Sequence, residues 1–196
     1  YVYSTATLVR HFQLFDDALD GMDHCICYAM KAASNQAILK TLGNLGAGMD
    51  VVSGGEYRRA ISAGIPPEKV VFSGVGKTLE EITLALQNGI RQFNVESDSE
   101  LEHISSIASC MDKIAPIAIR INPDVDAQTH EKIATGKAEN KFGIPLSRAR
   151  EVYSKASQLP GISIMGIDLH IGSQLTELEP FKKAYQKLAD LTHILR

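Results

Sequence analysis

Lys31 ends an otherwise apolar run, Cys25-Ile26-Cys27-Tyr28-Ala29-Met30, in a sequence of 196 residues. A short run of this composition predicts a strand. An amine at the mouth of such a strand, desolvated by its neighbours, shifts toward the neutral form that attacks carbonyl carbon. A lysine in that place is otherwise a solvated structural residue, so the groups around it must decide between the two. Polar residues close nearly every comparable run in the chain: Ser53, Ser73, Glu96, Arg120 and His170. A guanidinium at a strand end, as at Arg120, can orient an acidic partner or a cofactor oxygen, or form a structural ion pair. Ser73-Gly74-Val75-Gly76-Lys77-Thr78 ends like a nucleotide-binding P-loop, but Val71 stands where the first glycine of that cradle must be. Nucleotide binding is set aside on that ground.

The elements that must position these groups follow from periodicity. Leu8, Phe12, Phe15 and Leu19 predict a leading helix over residues 5–19, behind the caps Ser4 and Thr5. Strand-like runs at 25–30, 49–52, 69–72, 91–95, 116–121 and 162–169 then alternate with helical stretches at 35–45, 55–63, 79–87, 99–108, 147–158 and from 179 to the end. Near-continuous apolar strands alternating with helices predict a parallel sheet whose faces the crossover helices cover. The absence of G-x-G-x-x-G after the first strand weakens the dinucleotide-binding open sheet. A (β/α)8 barrel gathers the polar strand ends into one mouth, and six units are present of its eight. The segment between Asp124 and Phe142, with Thr135-Gly136-Lys137 and Asn140-Lys141, shows little periodicity, and a connection of that length is expected to be functional or disordered.

Composition narrows the classes of partner. Hydrophobic content of 44% and charged content of 22% describe a globular chain, and a net charge of -3 without charge blocks offers no basic stripe for nucleic acid or anionic lipid. A small molecule is the expected partner. Three cysteines, Cys25, Cys27 and Cys110, fit neither a disulfide framework nor a zinc site, and are expected to be core residues of a reducing compartment, with no metal bound. No run approaches the roughly 18 apolar residues of a membrane span and no signal-peptide pattern opens the chain, so a cytoplasmic location is expected. The sequence starts without methionine and stops inside an amphipathic pattern, Phe181 to Leu195, so more chain is expected.

Tyr28-Ala29-Met30-Lys31-Ala32 resembles the cofactor-lysine motif of the alanine-racemase-like, fold type III pyridoxal-phosphate (PLP) enzymes. Gly48-Met49-Asp50-Val51-Val52-Ser53-Gly54-Gly55-Glu56 resembles the next strand and turn of the decarboxylases in that group. Phe72 to Thr78, Phe93-Asn94-Val95-Glu96-Ser97, Arg120-Ile121-Asn122-Pro123-Asp124-Val125 and His170-Ile171-Gly172-Ser173-Gln174 look like the diaminopimelate decarboxylase family. The strings occur in the family's order along essentially the whole chain. One departs from it: Ala33 stands where the family has asparagine.

The resemblance implies an α/β fold, an incomplete (β/α)8 barrel of the alanine racemase type. Residues 1–24 would be a leading helix and entry segment, residues 25–196 the N-terminal part of the barrel, and the family's C-terminal β domain is absent from this chain. Lys31 would hold the cofactor PLP covalently, and His170 would stack on the pyridine ring as the second catalytic residue. Ser173 would bind the phosphate, Asp50 would lie near the lysine, and Arg120 would contact the cofactor. Glu56, Glu96 and Lys77 fall near the mouth but read as solvated or structural, and the loop after Asp124 would cover the substrate. The implied activity is decarboxylation of meso-2,6-diaminopimelate to L-lysine and CO2, the last step of lysine synthesis, by a homodimer when full length, with this chain alone inactive. The alternatives are a decarboxylase for ornithine, arginine or carboxynorspermidine, or a non-catalytic PLP-binding homologue.

Overall fold

The computed structural model describes residues 1–125, 142–173 and 175–195. The loop expected over the substrate, with Thr135-Gly136-Lys137 and Asn140-Lys141, lies outside the described residues, as does Gln174. The chain divides into two compact units, Tyr1–Phe93 and Asn94–Arg196.

The first unit is a series of βα crossovers of constant length. Helix α1 (Thr5–Ala18) begins where the Ser4 hydroxyl accepts the Thr7 N–H at 3.3 Å, and it rests against α2 without fully burying any residue. Strand β1 (Cys27–Ala29) runs into a 3₁₀ turn, Met30–Ala32, followed by α2 (Gln36–Asn44), β2 (Gly48–Val51), α3 (Gly54–Ser62), a second 3₁₀ turn (Pro67–Lys69), β3 (Val70–Phe72) and α4 (Leu79–Gln87). Strand β4 (Gln92–Val95) begins in this unit. Every pairing is parallel, with Cys27 opposite Gly48, Met49 opposite Val70 and Val71 opposite Gln92, a step of 21 residues each time.

Each crossover helix covers the sheet with one apolar face: Ile38, Leu39 and Leu42 from α2, Tyr57 and Ala60 from α3, Ile82, Ala85 and Leu86 from α4. Burial of each large aliphatic side chain contributes about 1.5–3 kcal/mol. Met49, Val51, Val70, Phe72 and Phe93 are fully buried from the strands, and the Phe72 and Phe93 rings stack with centroids 6.2 Å apart. Gly48 permits the closest approach, because a Cβ there would stand 2.3 Å from the Lys69 carbonyl oxygen and 2.8 Å from Cys27 Sγ.

The second unit contains α5 (Asp98–Cys110), β5 (Ala115–Asn122), the two-residue β6 (Ile144–Pro145), a 3₁₀ turn (Leu146–Arg148), α6 (Ala149–Gln158), β7 (Ile162–Leu169) and α7 (Glu179–Leu195). Strand β5 pairs in parallel with β7 from Ala115–Ile162 to Ile121–Leu169, with a register shift between Ile117 and Ala118, and with β6 at Ile121 and Asn122. Its interior is aliphatic, with Ala115, Ile117, Ala118, Ile119 and Ile121 buried. Arg148 joins the start of α5 to α6 through ion pairs to Asp98 and Glu151, both at 2.9 Å.

The differences from the sequence reading are local. The apolar run at 25–30 yields a strand of only three residues, since Met30 turns inward, wholly buried, and starts the 3₁₀ turn. Helix α6 starts at Ala149 rather than 147 because Leu146–Arg148 form their own turn. The cysteines are not core residues: Cys25 and Cys110 are exposed and Cys27 is half-buried, all as free thiols. No helix among the described residues is long and apolar enough to cross a membrane.

Candidate active site

In the first unit the polar groups sit at the carboxyl ends of parallel strands. Lys31 occupies the middle of the Met30–Ala32 turn, anchored from below by the buried Met30 and from beyond by Tyr28, whose hydroxyl donates to the Ala33 carbonyl at 3.2 Å. That bond uses the backbone of residue 33, so it does not depend on the side chain found there. Burial of Tyr28 raises its phenol pKa, keeping the hydroxyl protonated as the donor. Lys31 itself is exposed, which corrects the expected desolvation, and it makes no hydrogen bond or ion pair with another described residue. The turn carries the amine past the apolar strand instead of leaving it inside.

Asp50 lies on the neighbouring strand, opposite Ala29 in the register and thus two residues from the level of Lys31. Its carboxylate accepts the Ser73 hydroxyl at 2.6 Å, from the residue that follows β3. Three consecutive strand ends therefore place an amine, a carboxylate and a hydroxyl that orients the carboxylate. Such short hydroxyl-to-carboxylate bonds are among the stronger ones because the acceptor is charged.

The other polar strand ends of this unit serve the backbone. Ser53 caps α3 by accepting the Glu56 N–H, and the Glu56 carboxylate accepts the Val52 N–H at 2.8 Å. Lys77 bends back to donate to the Gly74 carbonyl at 2.7 Å and lies over the Phe72 ring. Thr78 and Glu81 form a capping box at the start of α4, and Glu81 also accepts the Gly54 N–H at 2.6 Å, tying α4 to α3. Burial pushes the Glu81 carboxyl up, but the bonds from Gly54 and Thr78 and the charge of Arg58 outweigh it, and its pKa ends below the usual value. The Gly-Lys-Thr string is thus a helix entry, whose T-x-x-E spacing was the legible signal.

In the second unit Arg120 lies within β5, opposite Asp168 of β7 and two residues before the strand ends, and its guanidinium is held by Glu96 at 2.9 Å. The Glu96 side chain is 2% exposed and that of Arg120 14%. A carboxylate so buried requires a paired cation, so this guanidinium has a structural assignment of its own. Phe142 stacks near it at 5.9 Å. His170 directly follows β7 and is exposed, and Ser173 is exposed beyond Gly172, whose φ of +135° suits glycine alone.

Each unit by itself offers groups whose chemistry suits PLP. The first unit offers an uncommitted amine for a carbonyl and a carboxylate for a cationic centre. The second offers an accessible imidazole and a hydroxyl beside a backbone that lacks a side chain. Among the described residues no group of three or more His, Cys, Asp or Glu could hold a metal ion.

Comparison with known proteins gives the family. Residues 5–196 match the family described as pyridoxal-dependent decarboxylase, pyridoxal binding domain. Diaminopimelate decarboxylase of Haemophilus influenzae is 56% identical over 196 residues, covering 100% of this chain and 47% of that protein. The enzyme of the same name from Pseudomonas aeruginosa is 50% identical over 191 residues, covering 97% and 46%. The crystal structure of diaminopimelate decarboxylase from Helicobacter pylori complexed with L-lysine superposes with a TM-score of 0.94 at 44% identity, over 98% of this chain and 49% of that one. The chain thus spans about half the length of the relatives it matches. Their fold class is its own, parallel strands with crossover helices making part of a (β/α)8 barrel of the alanine racemase type. The chain belongs to the pyridoxal binding domain family of the pyridoxal-dependent decarboxylases.

Proposed function

We propose that the protein containing this chain decarboxylates meso-2,6-diaminopimelate to L-lysine and CO2, with PLP as cofactor. The observation that carries this reading is the exposed amine of Lys31, unbonded among the described residues and just past the end of β1, in a chain so similar to diaminopimelate decarboxylases along its whole length. PLP, when bound, supplies the electron sink that accepts the pair left by departing CO2.

The chain's own residues bind and orient. Lys31 would hold the cofactor through its Nζ. Asp50, fixed by the Ser73 hydroxyl, keeps a negative charge near that amine and favours its protonated partner. His170 would lie against the ring, and Ser173 would donate to the phosphate, aided by backbone N–H groups around Gly172. Arg120 reaches the cofactor only with N–H groups that its bond to Glu96 leaves over. The full-length protein acts as a homodimer in the cytoplasm, the partner subunit completing the site. Likeness to an arginine decarboxylase structure at 22% identity concerns the fold alone, so it lends no support to an arginine substrate.

The test is release of labelled CO2 by the full-length protein offered diaminopimelate, ornithine and arginine separately. Turnover with diaminopimelate, at least a hundredfold above the other two, is expected. Preference for ornithine or arginine would replace the substrate, and no release from any of the three would leave a binding protein.

A further inference from the structure

Cys25 and Cys27 stand one residue apart where the chain enters β1, with their sulfurs 3.9 Å apart. Residues i and i+2 of an extended chain share a face. Two strand steps of about 3.3 Å separate their Cα atoms, and with them their near-parallel Cβ atoms, by about 6.6 Å; a disulfide holds its Cβ atoms about 3.5–4.5 Å apart, so the bond forms as the backbone at Ile26 draws in. Cys25 is exposed, while Cys27 Sγ packs toward Gly48, where there is no side chain. Cys25 also lines a cavity of about 270 Å³ with His24, Lys69 and Arg91. The cavity opens at the amino ends of the strands, away from the Lys31 turn.

We propose that Cys25 and Cys27 form a redox-active dithiol, converted to an intrachain disulfide by a low-molecular-weight disulfide that enters at this cavity. The Cys25 thiolate attacks one sulfur of the incoming disulfide, forming a mixed disulfide and expelling one thiolate. Cys27 then loses its proton to solvent and attacks Cys25 Sγ, closing the ring and expelling the second thiolate. Two protein thiols are oxidised and one external disulfide is reduced to two thiols, so no other oxidant is needed.

The surroundings set the order of the steps. Burial, and then the charge and hydrogen bond of Cys25, push the Cys27 thiol up to about 12, while Arg91 pulls the other way. Cys27 therefore waits as a thiol beside the accessible Cys25. Capture of Cys25 as a mixed disulfide removes the Cys25 charge and leaves that of Arg91, which lowers the barrier to the second deprotonation. Ile26, between the two, accepts the Gly48 N–H at 2.9 Å, so ring closure pinches the residue that begins the β1–β2 ladder.

The test uses full-length protein treated with oxidised glutathione, then alkylated and digested with trypsin. The peptide spanning residues 11–31 should be recovered unalkylated and two hydrogens lighter, and dithiothreitol should restore both thiols. Cys27→Ser should retain glutathione on Cys25, and Cys25→Ser should leave Cys27 reduced and alkylated only after unfolding. The exposed Cys110 serves as an internal control that takes up glutathione without closing a ring. A lasting glutathione adduct on Cys25 of the unsubstituted protein, a bridge to Cys110 or to a second molecule, or two thiols still reduced would each overturn the proposal.

Discussion

At the residue scale, Lys31 and Arg120 are both cations at strand ends, yet their surroundings give them opposite expectations. Lys31 is exposed and makes no bond with another described residue, so Lys31→Ala should leave the thermal stability of the cofactor-free protein unchanged while abolishing the visible absorbance of bound PLP. Borohydride reduction and peptide mapping of the unsubstituted protein should label Lys31; label on Lys77 or Lys141 would show the assignment to be wrong. Arg120 is bound to the buried Glu96, and removing one partner of a buried pair costs about 3–5 kcal/mol because the other charge is stranded. Arg120→Ala should lose that much in urea denaturation, and Arg120→Ala combined with Glu96→Gln should recover part of it. If Arg120→Ala is as stable as the parent, the pair has no structural role. The sequence could show that Arg120 lies toward the end of a strand, but not that its carboxylate partner lies 24 positions earlier, since that pairing exists only after the strands are placed. Lys31 was visible from its string, whereas its exposure depends on Met30 turning inward.

At the element scale, the helices and longer strands were legible because their apolar spacing is strict: α4 and β7 keep the bounds read from the sequence, Leu79–Gln87 and Ile162–Leu169. Strand β6 was not, because two residues, one of them proline, carry no periodicity. The cysteines misled because burial statistics describe the residue type and not the position, Cys25 and Cys27 standing where the chain enters β1 and Cys110 at the last residue of α5. Two substitutions probe the elements. Gly48→Ala must push strands apart where its Cβ meets the Lys69 carbonyl at 2.3 Å, and should cost about 1–3 kcal/mol, whereas Gly76→Ala meets nothing within 4 Å and should be neutral or slightly stabilising. Glu81 links stability to pH. Its carboxyl has a folded pKa below the unfolded one, so the stabilisation is present above the unfolded pKa and is lost as pH falls through the folded one. Glu81→Gln should therefore be less stable than the parent near neutrality, and the gap should close on acidification. A gap that persists unchanged in acid would assign the effect to shape rather than charge.

At the scale of the whole molecule, the constant step of 21 residues in the first unit bears on how the chain folds. Each of its three pairings closes a loop of the same length, so chain entropy favours none of them over the others. Ala115 and Ile162 of the second unit are 47 residues apart, which adds only roughly 0.7 kcal/mol to closure. With loop lengths so nearly neutral, the order of assembly falls to the strength of individual helices. Helix α4 has the capping box, three buried aliphatic contacts and a tether to α3 through Glu81, so the β3–α4 region is the natural nucleus. A chain built this way can start in the middle and grow toward β1, and amide hydrogen exchange is then expected to find the strand leading to Lys31 less protected than β3.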